Sequence, residues 1–222
     1  MTAAPPSSRA QVKRLPDRAA YDRATVDAIL DEGFICHVAF ATDGQPVVIP
    51  TVYGRLGDIL YLHGSSASRM LRTLGQGVEA SVCVTHVDGL VLARSAFHHS
   101  VNFRSVVLFG TATEVTEPVE KQSALQAIVE HVVPKRWPDV RGPSAQELRR
   151  TRVLKLPLDE ASAKLRSGPP VDDEEDYQLD CWAGVIPMTT EYASPVDDPR
   201  LESGIERPAY VTAYQRPGRG RA

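Results

Sequence analysis

The stretch PVVIPTVYGRLGDILYLHGSSASRMLRTL (residues 46–74) changes its pattern twice. Two apolar or alternating runs, PVVIPTVYGR and ILYLH, flank LGD, whose glycine and aspartate favour a tight turn, so this part predicts a β-hairpin. After His63 a small polar segment leads into an amphipathic run that predicts a helix. A strand that passes into a helix through three serines and an arginine forms a corner suited to phosphate, because hydroxyls, free helical N–H groups and a guanidinium all donate to anions.

The segments around this stretch repeat the strand pattern. FICHVAFA precedes it, and VEASVCVTHV, LVLARSA and VNFRSVVLFGTATEV follow, separated by turn residues such as TDGQ and the DG at residues 88 and 89. Together with the hairpin they predict six short strands and few helices, which indicates an antiparallel barrel rather than parallel βαβ units. The segment RVLKLPLDEASAKLRSG then returns to strand character.

Helices are predicted at the periphery of this barrel. YDRATVDAILDEG is amphipathic, with Asp22 as its N-cap and Gly33 as its stop. EPVEKQSALQAIVEHVV has apolar residues near helical spacing, and SAQELRRT predicts another turn or two.

Composition predicts three parts of the chain. Residues 1–18, rich in proline, serine and arginine, are expected to form a flexible N-terminal arm. Residues 19–167 are expected to form the barrel domain. Residues 168–222, rich in proline and acid, are expected to form an extended tail that packs on the barrel or on a partner subunit.

The net charge and the hydropathy pattern argue against a nucleic-acid-binding, membrane-spanning or secreted protein. The net charge of −3 over 222 residues gives no general attraction to nucleic acid or to an anionic membrane, so any anion site must be local. No run approaches the roughly 18–20 apolar residues of a membrane span, and the N-terminal segment lacks the apolar centre of a secretion signal, so we expect a cytoplasmic protein. The three cysteines are expected to be reduced thiols, and the acidic run DDEED is expected to be solvated, so no metal site is predicted.

Two clusters carry candidate binding chemistry, and each has a plainer interpretation. At the strand–helix corner, Ser65 or Ser66 can cap a helix whose first turns carry Arg69 and Arg72. The same pattern is typical of an N-capped helix with surface arginines. In FHHSVNFRSVVLFG, an arginine interrupts an otherwise apolar strand and needs a partner, which is either an anionic ligand or a carboxylate of the chain itself.

Three segments together carry a family resemblance. PVVIPTVYGRLGDILYLHGSSASRMLRTL, HSVNFRSVVLFGTATEV and LRSGPPVDDEEDYQLDCWAGVIP resemble the FMN-binding split-barrel proteins related to pyridoxamine 5'-phosphate oxidase, most closely the nitroimidazole-resistance-like branch. The resemblance covers roughly residues 20–190. It implies a mainly β fold with peripheral helices: a six-stranded antiparallel split β-barrel with Greek-key connections. It also implies a homodimer that holds FMN in the grooves between its subunits.

The resemblance also implies a role for individual residues. The strand–helix corner would hold the FMN phosphate, the main chain of the preceding strand would line the isoalloxazine ring, and the arginine-containing strand would contact the flavin. His63 would lie beside the flavin and help to deliver a proton, which makes it the candidate catalytic residue. Trp182 would cover the flavin or line a substrate pocket, or else simply pack on the barrel. The residues implied to bind the cofactor are Val48, Ile49, Pro50, Thr51, His63, Ser65, Ser66, Ser68, Arg69, Asn102, Arg104, Ser105 and Trp182.

These observations predict an FMN-dependent oxidoreductase that passes electrons to a small organic acceptor, for example a nitroaromatic compound. One alternative is a flavin-binding carrier or sensor without turnover. Another is a barrel groove that accepts the deazaflavin F420 or haem. The chain departs from authentic pyridoxamine phosphate oxidases, since DCWAGVIPMTTEY stands where those enzymes have a basic segment that grips the substrate phosphate. The sequence therefore argues against that particular activity.

Overall fold

An antiparallel β-sheet with helices on its outside forms the body of the protein, and the computed structural model describes residues 3–216. Within that range the strands are β1 (Ala19–Ala20), β2 (Ile35–Thr42), β3 (Gln45–Leu56), β4 (Ile59–Ser65), β5 (Glu79–Leu92), β6 (Ser100–Thr111), β7 (Thr113–Glu114), β8 (Thr151–Pro157), β9 (Glu160–Arg166) and β10 (Gly184–Pro187). The helices are α1 (Arg23–Glu32), α2 (Arg69–Leu74), α3 (Pro118–Val132), α4 (Ala145–Arg150) and α5 (Ala209–Thr212). None of the helices in this range is long and apolar enough to cross a bilayer.

The strands lie in the order β1-β9-β6-β5-β2-β3-β4-β8-β7, and β10 pairs with β5. All of these pairings are antiparallel, as the sequence predicts. Alternating residues of the long strands point into the main apolar core, where Leu60, Leu62, Leu108 and Leu156 are almost completely buried. A second, smaller cluster contains Ile128 of α3 and Val153 of β8. The mainly β, split-barrel fold class is confirmed.

The number of strands is ten in residues 3–216, not the six predicted. Residues 151–166 supply two further strands, β8 and β9, which pair with β4 and β6 rather than with each other, and β1, β7 and β10 are three additional short strands. The predicted break at Asp88 and Gly89 is wrong, because β5 runs straight through it with a bulge between Val87 and Gly89. Here β6 pairs on one side and β10 on the other, and this pairing outweighs the turn preference of the two residues.

Local signals at two turns are confirmed. Asp22 caps α1 through a 2.8 Å bond from the Thr25 N–H to its Oδ1, and Gly33 ends the helix. In the β2–β3 hairpin, Asp43 and Gly44 both have positive φ, at 51° and 71°. A two-residue turn of this kind is favoured by Asp-Gly because both positions need the left-handed region.

Helix α3 crosses β3 directly over Gly54, and this contact gives a testable prediction. A Cβ atom at Gly54 would lie 2.6 Å from Ile128 Cα and 2.8 Å from Ile128 N. Because backbone atoms cannot move aside cheaply, we expect Gly54→Ala to lower the free energy of unfolding by roughly 1–3 kcal/mol, measured by urea denaturation. Gly142→Ala is the matched control, since no atom lies within 4 Å of its added Cβ. Equal stability of the two variants would contradict this packing.

Both ends of the described chain contact the barrel. Arg9 pairs with Glu79 and Glu160, although residues 1–18 were predicted to be a flexible arm. The tail contains few regular elements, as predicted, but β10 joins the sheet and Arg216 is buried. The predicted segments also include residues 1–2 and 217–222, which lie outside the described residues. The domain boundaries remain predictions.

Arg216 and His131 meet at the C-terminal end of α1. The Arg216 guanidinium donates to the carbonyl oxygens of Asp31, Glu32 and Gly33, and His131 Nε2 lies 2.8 Å from the same Gly33 oxygen. Burial, together with the positive charge of Arg216, lowers the pKa of His131 to about 4. The imidazole is therefore neutral in the folded protein at pH 7.

This lowered pKa predicts a pH dependence of stability. Between pH 6.5 and about 4 the unfolded chain takes up a proton at His131 that the folded chain does not, so stability falls as the pH falls through that window. We expect this group to cost about 2 kcal/mol of unfolding free energy between pH 7 and pH 5. Urea denaturation at both pH values should show a smaller loss in His131→Gln than in the wild type or in His99→Gln. Equal losses in all three would refute the assignment.

Candidate functional site

Strands β3 and β4 separate beyond the Tyr53–Leu62 pair, shortly before α2 begins. They pair only from Tyr53–Leu62 to Leu56–Ile59, whereas β4 continues along β8 as far as Ser65. In the described chain, residues 45–52 of β3 pair with β2 alone, so their other edge has no strand partner. We call this opening the β3–β4 fork; it comprises residues 48–51, residues 63–66 and residues 68–69. Its open edge offers backbone donors and acceptors to a ligand.

Serines form the corner of the fork. Ser68 is the N-cap of α2, because its Oγ accepts from the Leu71 N–H, so the prediction of Ser65 or Ser66 as the cap is wrong. Ser65 Oγ instead accepts from the Ala67 N–H at 3.2 Å. Ser66 uses its N–H in a 2.8 Å bond to the Arg150 carbonyl oxygen, which leaves its exposed hydroxyl free for a ligand.

Four exposed arginines surround this corner. Arg69 and Arg72 lie one turn apart on α2, and Arg149 and Arg150 end α4, just before the β8 residue that pairs with Ser65. None of the four side chains forms an ion pair or a hydrogen bond within residues 3–216. Because α2 has only six residues, the positive charge here comes mainly from the side chains rather than from a helix dipole. The corner can therefore bind an anion carrying more than one negative charge.

His63 lies at the point where β3 and β4 separate. It pairs with Val153 of β8, and its Nδ1 is buried without a hydrogen-bond partner in the described chain. Burial lowers the pKa of this imidazole. The ring is therefore neutral at pH 7, which is the form that can accept a proton or ligate a metal.

The β3 edge of the fork is largely apolar. Val48 is 60% exposed, and Pro50 is also exposed on the outer face. Ile49 points inward and packs against the core, while Thr51 uses its hydroxyl in a 3.4 Å bond to the Val52 carbonyl oxygen. The wall combines apolar side chains with unpaired main chain, which suits the edge of a flat heterocycle.

Strand β6, which carries Asn102, Arg104 and Ser105, does not reach the β3–β4 fork of its own chain. Strand β6 is separated from β3 by β5 and β2. The Asn102 amide donates to the Gly168 carbonyl oxygen, and the Ser105 hydroxyl donates to the Lys164 carbonyl oxygen. The structure thus divides the predicted residues into a fork group and a β6 group.

Arg104 pairs with two carboxylates of its own chain. Of the two partners that the sequence left open, an anionic ligand and a carboxylate of the chain, the structure therefore shows the second. Its guanidinium lies 2.8 Å from Asp88 Oδ1 and contacts both oxygens of Glu32, which is only 6% exposed. These bonds raise the pKa of Arg104 and keep it charged. The ion-pair cluster lies in a cleft of about 990 Å³ between the start of β2, β5 and the tail residues 188–192 and 214–216. Sequence reasoning missed both carboxylates, and the arginine in an apolar strand was their only signal.

Trp182 and Asp172 both lie in the tail, but Trp182 is exposed and Asp172 is buried. The Trp182 ring lies over Gly184, where an added Cβ would come within 2.8 Å of it, and remains 67% exposed. Asp172 is the first residue of the acidic run, which was predicted to be solvated. It is buried instead, and its carboxylate accepts from the Arg94 N–H at 2.9 Å.

His98, Asp173 and Asp176 bring possible metal ligands within 4.8 Å of one another, but exposed groups of this kind are common without an ion.

Comparison with known proteins decides the family. The family model described as pyridoxamine 5'-phosphate oxidase matches residues 22–165, which span the barrel from α1 to β9. The chain belongs to the pyridoxamine 5'-phosphate oxidase family. The comparison with curated proteins finds no match.

Three solved structures are similar to this chain. The flavocytochrome Anf3 from Azotobacter vinelandii is 42% identical, with a TM-score of 0.88 over 93% of this chain and 96% of its own. The FAD and haem binding protein from Mycobacterium smegmatis is 37% identical, with a TM-score of 0.87 over 91% and 100%. A candidate 5-nitroimidazole antibiotic resistance protein from Bacteroides thetaiotaomicron is 25% identical, with a TM-score of 0.53 over 66% and 85%.

Proposed function

We propose that this protein binds a flavin at the β3–β4 fork and acts as an oxidoreductase. The observation that carries the proposal is the set of four unpaired arginines beside exposed serines, at the end of an open strand edge with an apolar wall. A flavin has the matching parts: a phosphate, a polar pyrimidine edge and a flat apolar ring. The names of the two relatives above 35% identity also refer to flavin-containing proteins.

The charge at the corner favours FAD over the FMN that the sequence resemblance implies. One phosphate monoester needs about two arginines, whereas Arg149 and Arg150 add two further unpaired cations next to Arg69 and Arg72. A diphosphate would use all four. The Mycobacterium smegmatis relative is named for FAD, in agreement with this choice.

Haem is the second cofactor we propose. The names of both relatives include a cytochrome or haem. Among the described histidines, only the rings of His37 and His63 have no hydrogen-bond or ion-pair partner, whereas the rings of His86, His98, His99 and His131 are hydrogen-bonded. His63 is the better candidate for the iron ligand, because a neutral imidazole is the ligating form. His37 is the alternative, and F420 replaces the flavin only if neither FMN nor FAD binds.

A homodimer would complete the site. The fork is open on one side, and Ile35 and Val48 are exposed on the neighbouring strands at 41% and 60%. A second copy packed on this face would cover these apolar side chains and bring its own β6 towards the fork, which one chain does not do. The tail segment around Trp182 would then lie near the cofactor or a partner surface.

The flavin, when bound, supplies hydride or electron transfer to a small organic acceptor, for which a nitroaromatic compound is our candidate. The chain's own residues bind and orient the ring at β3, hold the phosphates at the corner and exclude water with the Val48 wall. In the protein that carries a flavin without haem, the neutral His63 would accept or deliver a proton at an imidazole nitrogen, a role that it would give up as an iron ligand. The alternative of a flavin carrier without turnover uses the same binding residues but needs no acceptor.

The experiment is a visible spectrum of the purified protein, followed by denaturation and chromatography of what is released. We expect flavin bands, release of FAD rather than FMN, and a Soret band that is lost in His63→Ala and kept in His37→Ala. Consumption of a reduced nicotinamide with a nitroaromatic acceptor separates an enzyme from a carrier. A folded, colourless protein that takes up neither FAD nor FMN would refute the proposal.

A further inference from the structure

A second cavity, of about 430 Å³, lies far from the fork in strand order, between the N-terminal segment and the end of β9. Arg18 and Asp17 line one side of it, and Arg166 lines the other. Leu165 and Val171 contribute apolar wall. None of these residues belongs to the flavin site described above.

Arg166 is a buried cation without a carboxylate partner. It is 8% exposed, and its guanidinium donates to the Asn102 side-chain oxygen and to the carbonyl oxygens of Gly168 and Pro169, all of which are neutral. Its Nε–H has no acceptor in residues 3–216. A buried charge of this kind is costly unless a counter-charge approaches it. Burial and the nearby Arg18 both lower the pKa of Arg166, which reflects the same uncompensated charge.

The opposite wall adds to this charge instead of cancelling it. The Arg18 side chain forms no hydrogen bond or ion pair with the part of the chain that the structure describes. Asp17 contributes one carboxylate, but it pairs with neither arginine. The cavity therefore carries two arginines against one exposed aspartate, and Lys164, whose Nζ contacts the Arg14 carbonyl oxygen, is a further cation nearby.

We propose that this cavity binds a small organic oxyanion, a carboxylate or a phosphate monoester. Its charged end would lie between Arg18 and Arg166, and its apolar body against Ala19, Leu165 and Val171. The cavity volume of about 430 Å³ is larger than an inorganic ion occupies and lies at the small end of the range for ligand pockets. Two arginines can bind either a carboxylate or a phosphate, so the charge of the cavity indicates an oxyanion without distinguishing between these two groups. The apolar wall indicates that the oxyanion carries an organic group.

The test is isothermal titration calorimetry on the full-length protein with its cofactor in place. The probes are phenyl phosphate, benzoate, inorganic phosphate and benzamide. We expect saturable binding of phenyl phosphate or benzoate, with the tighter of the two identifying the anion class. Inorganic phosphate should bind more weakly because it lacks the apolar body, and the uncharged benzamide at least about tenfold more weakly because it lacks the charge.

Three variants locate the binding. Arg18→Gln and Val171→Asp should each weaken it about tenfold, and neither removes a hydrogen bond or an ion pair of the described chain, since the Arg18 side chain forms none and Val171 is apolar and 71% exposed. Arg14→Gln is the matched control: it removes the same charge from an exposed side chain near the cavity and should change the affinity less than twofold. Absence of saturable binding, or equal weakening in Arg14→Gln and Arg18→Gln, would overturn the proposal. Flavin content should be unchanged in all three, which separates this site from the fork.

Discussion

The Arg104→Met variant is expected to unfold with a free energy about 3 kcal/mol lower than that of the wild type, because it leaves Glu32 buried without its guanidinium. Glu32 is 6% exposed, and both of its carboxylate oxygens accept from Arg104. Methionine keeps most of the aliphatic volume, so the loss reports the charge rather than a cavity. Urea denaturation of the cofactor-free protein measures it directly.

Arg152→Met provides the matched control for that measurement. Arg152 pairs with Glu114, but the two side chains are 25% and 34% exposed, and exposed ion pairs contribute about 0–1 kcal/mol. If Arg104 instead serves mainly to contact a flavin, its substitution will weaken cofactor binding and leave the stability of the cofactor-free protein near that of Arg152→Met. That outcome would contradict the structural role assigned here.

Arg69→Ala is expected to weaken flavin binding about 30-fold, since a charge-assisted bond to phosphate contributes about 1.5–3 kcal/mol. Arg69 has no partner in the described chain, so its removal should leave the unfolding free energy within about 0.5 kcal/mol of the wild type. Fluorescence titration of the cofactor-free protein with FAD and with FMN gives the affinities.

Arg200→Ala controls for the loss of one positive charge. Its side chain is also exposed and unpaired in the described residues, but it lies in the tail. We expect flavin affinity within about twofold of the wild type for this variant. A flavin affinity that is unchanged in Arg69→Ala, or reduced equally in both variants, would mean that the phosphate lies elsewhere.

Features encoded by neighbouring residues could be predicted from the sequence. Asp22 and Gly33 bound α1, Asp43 and Gly44 form the turn of a hairpin, and alternation places the strands, because each depends on residues only a few positions apart. The preference of Asp88 and Gly89 for a turn was overridden, because strands that are distant in sequence pair on both sides of them. Local propensity cannot report such pairing.

The candidate site was predictable in part for the same reason. The serines and Arg69 lie on one continuous segment, so their pattern was visible. The partners of Arg104 could not be predicted from the sequence, because Glu32 is brought to β6 only by the packing of α1. The same holds for the cavity between Arg18 and Arg166, which exists only because the N-terminal segment pairs with β9.

The most direct test of the whole account is a crystal structure of the protein with its flavin bound. The account predicts the flavin phosphate against Ser65, Ser66, Ser68 and Arg69, with the ring along the open edge of β3. A flavin bound instead in the cleft beside Arg104, with the serine corner empty, would contradict it.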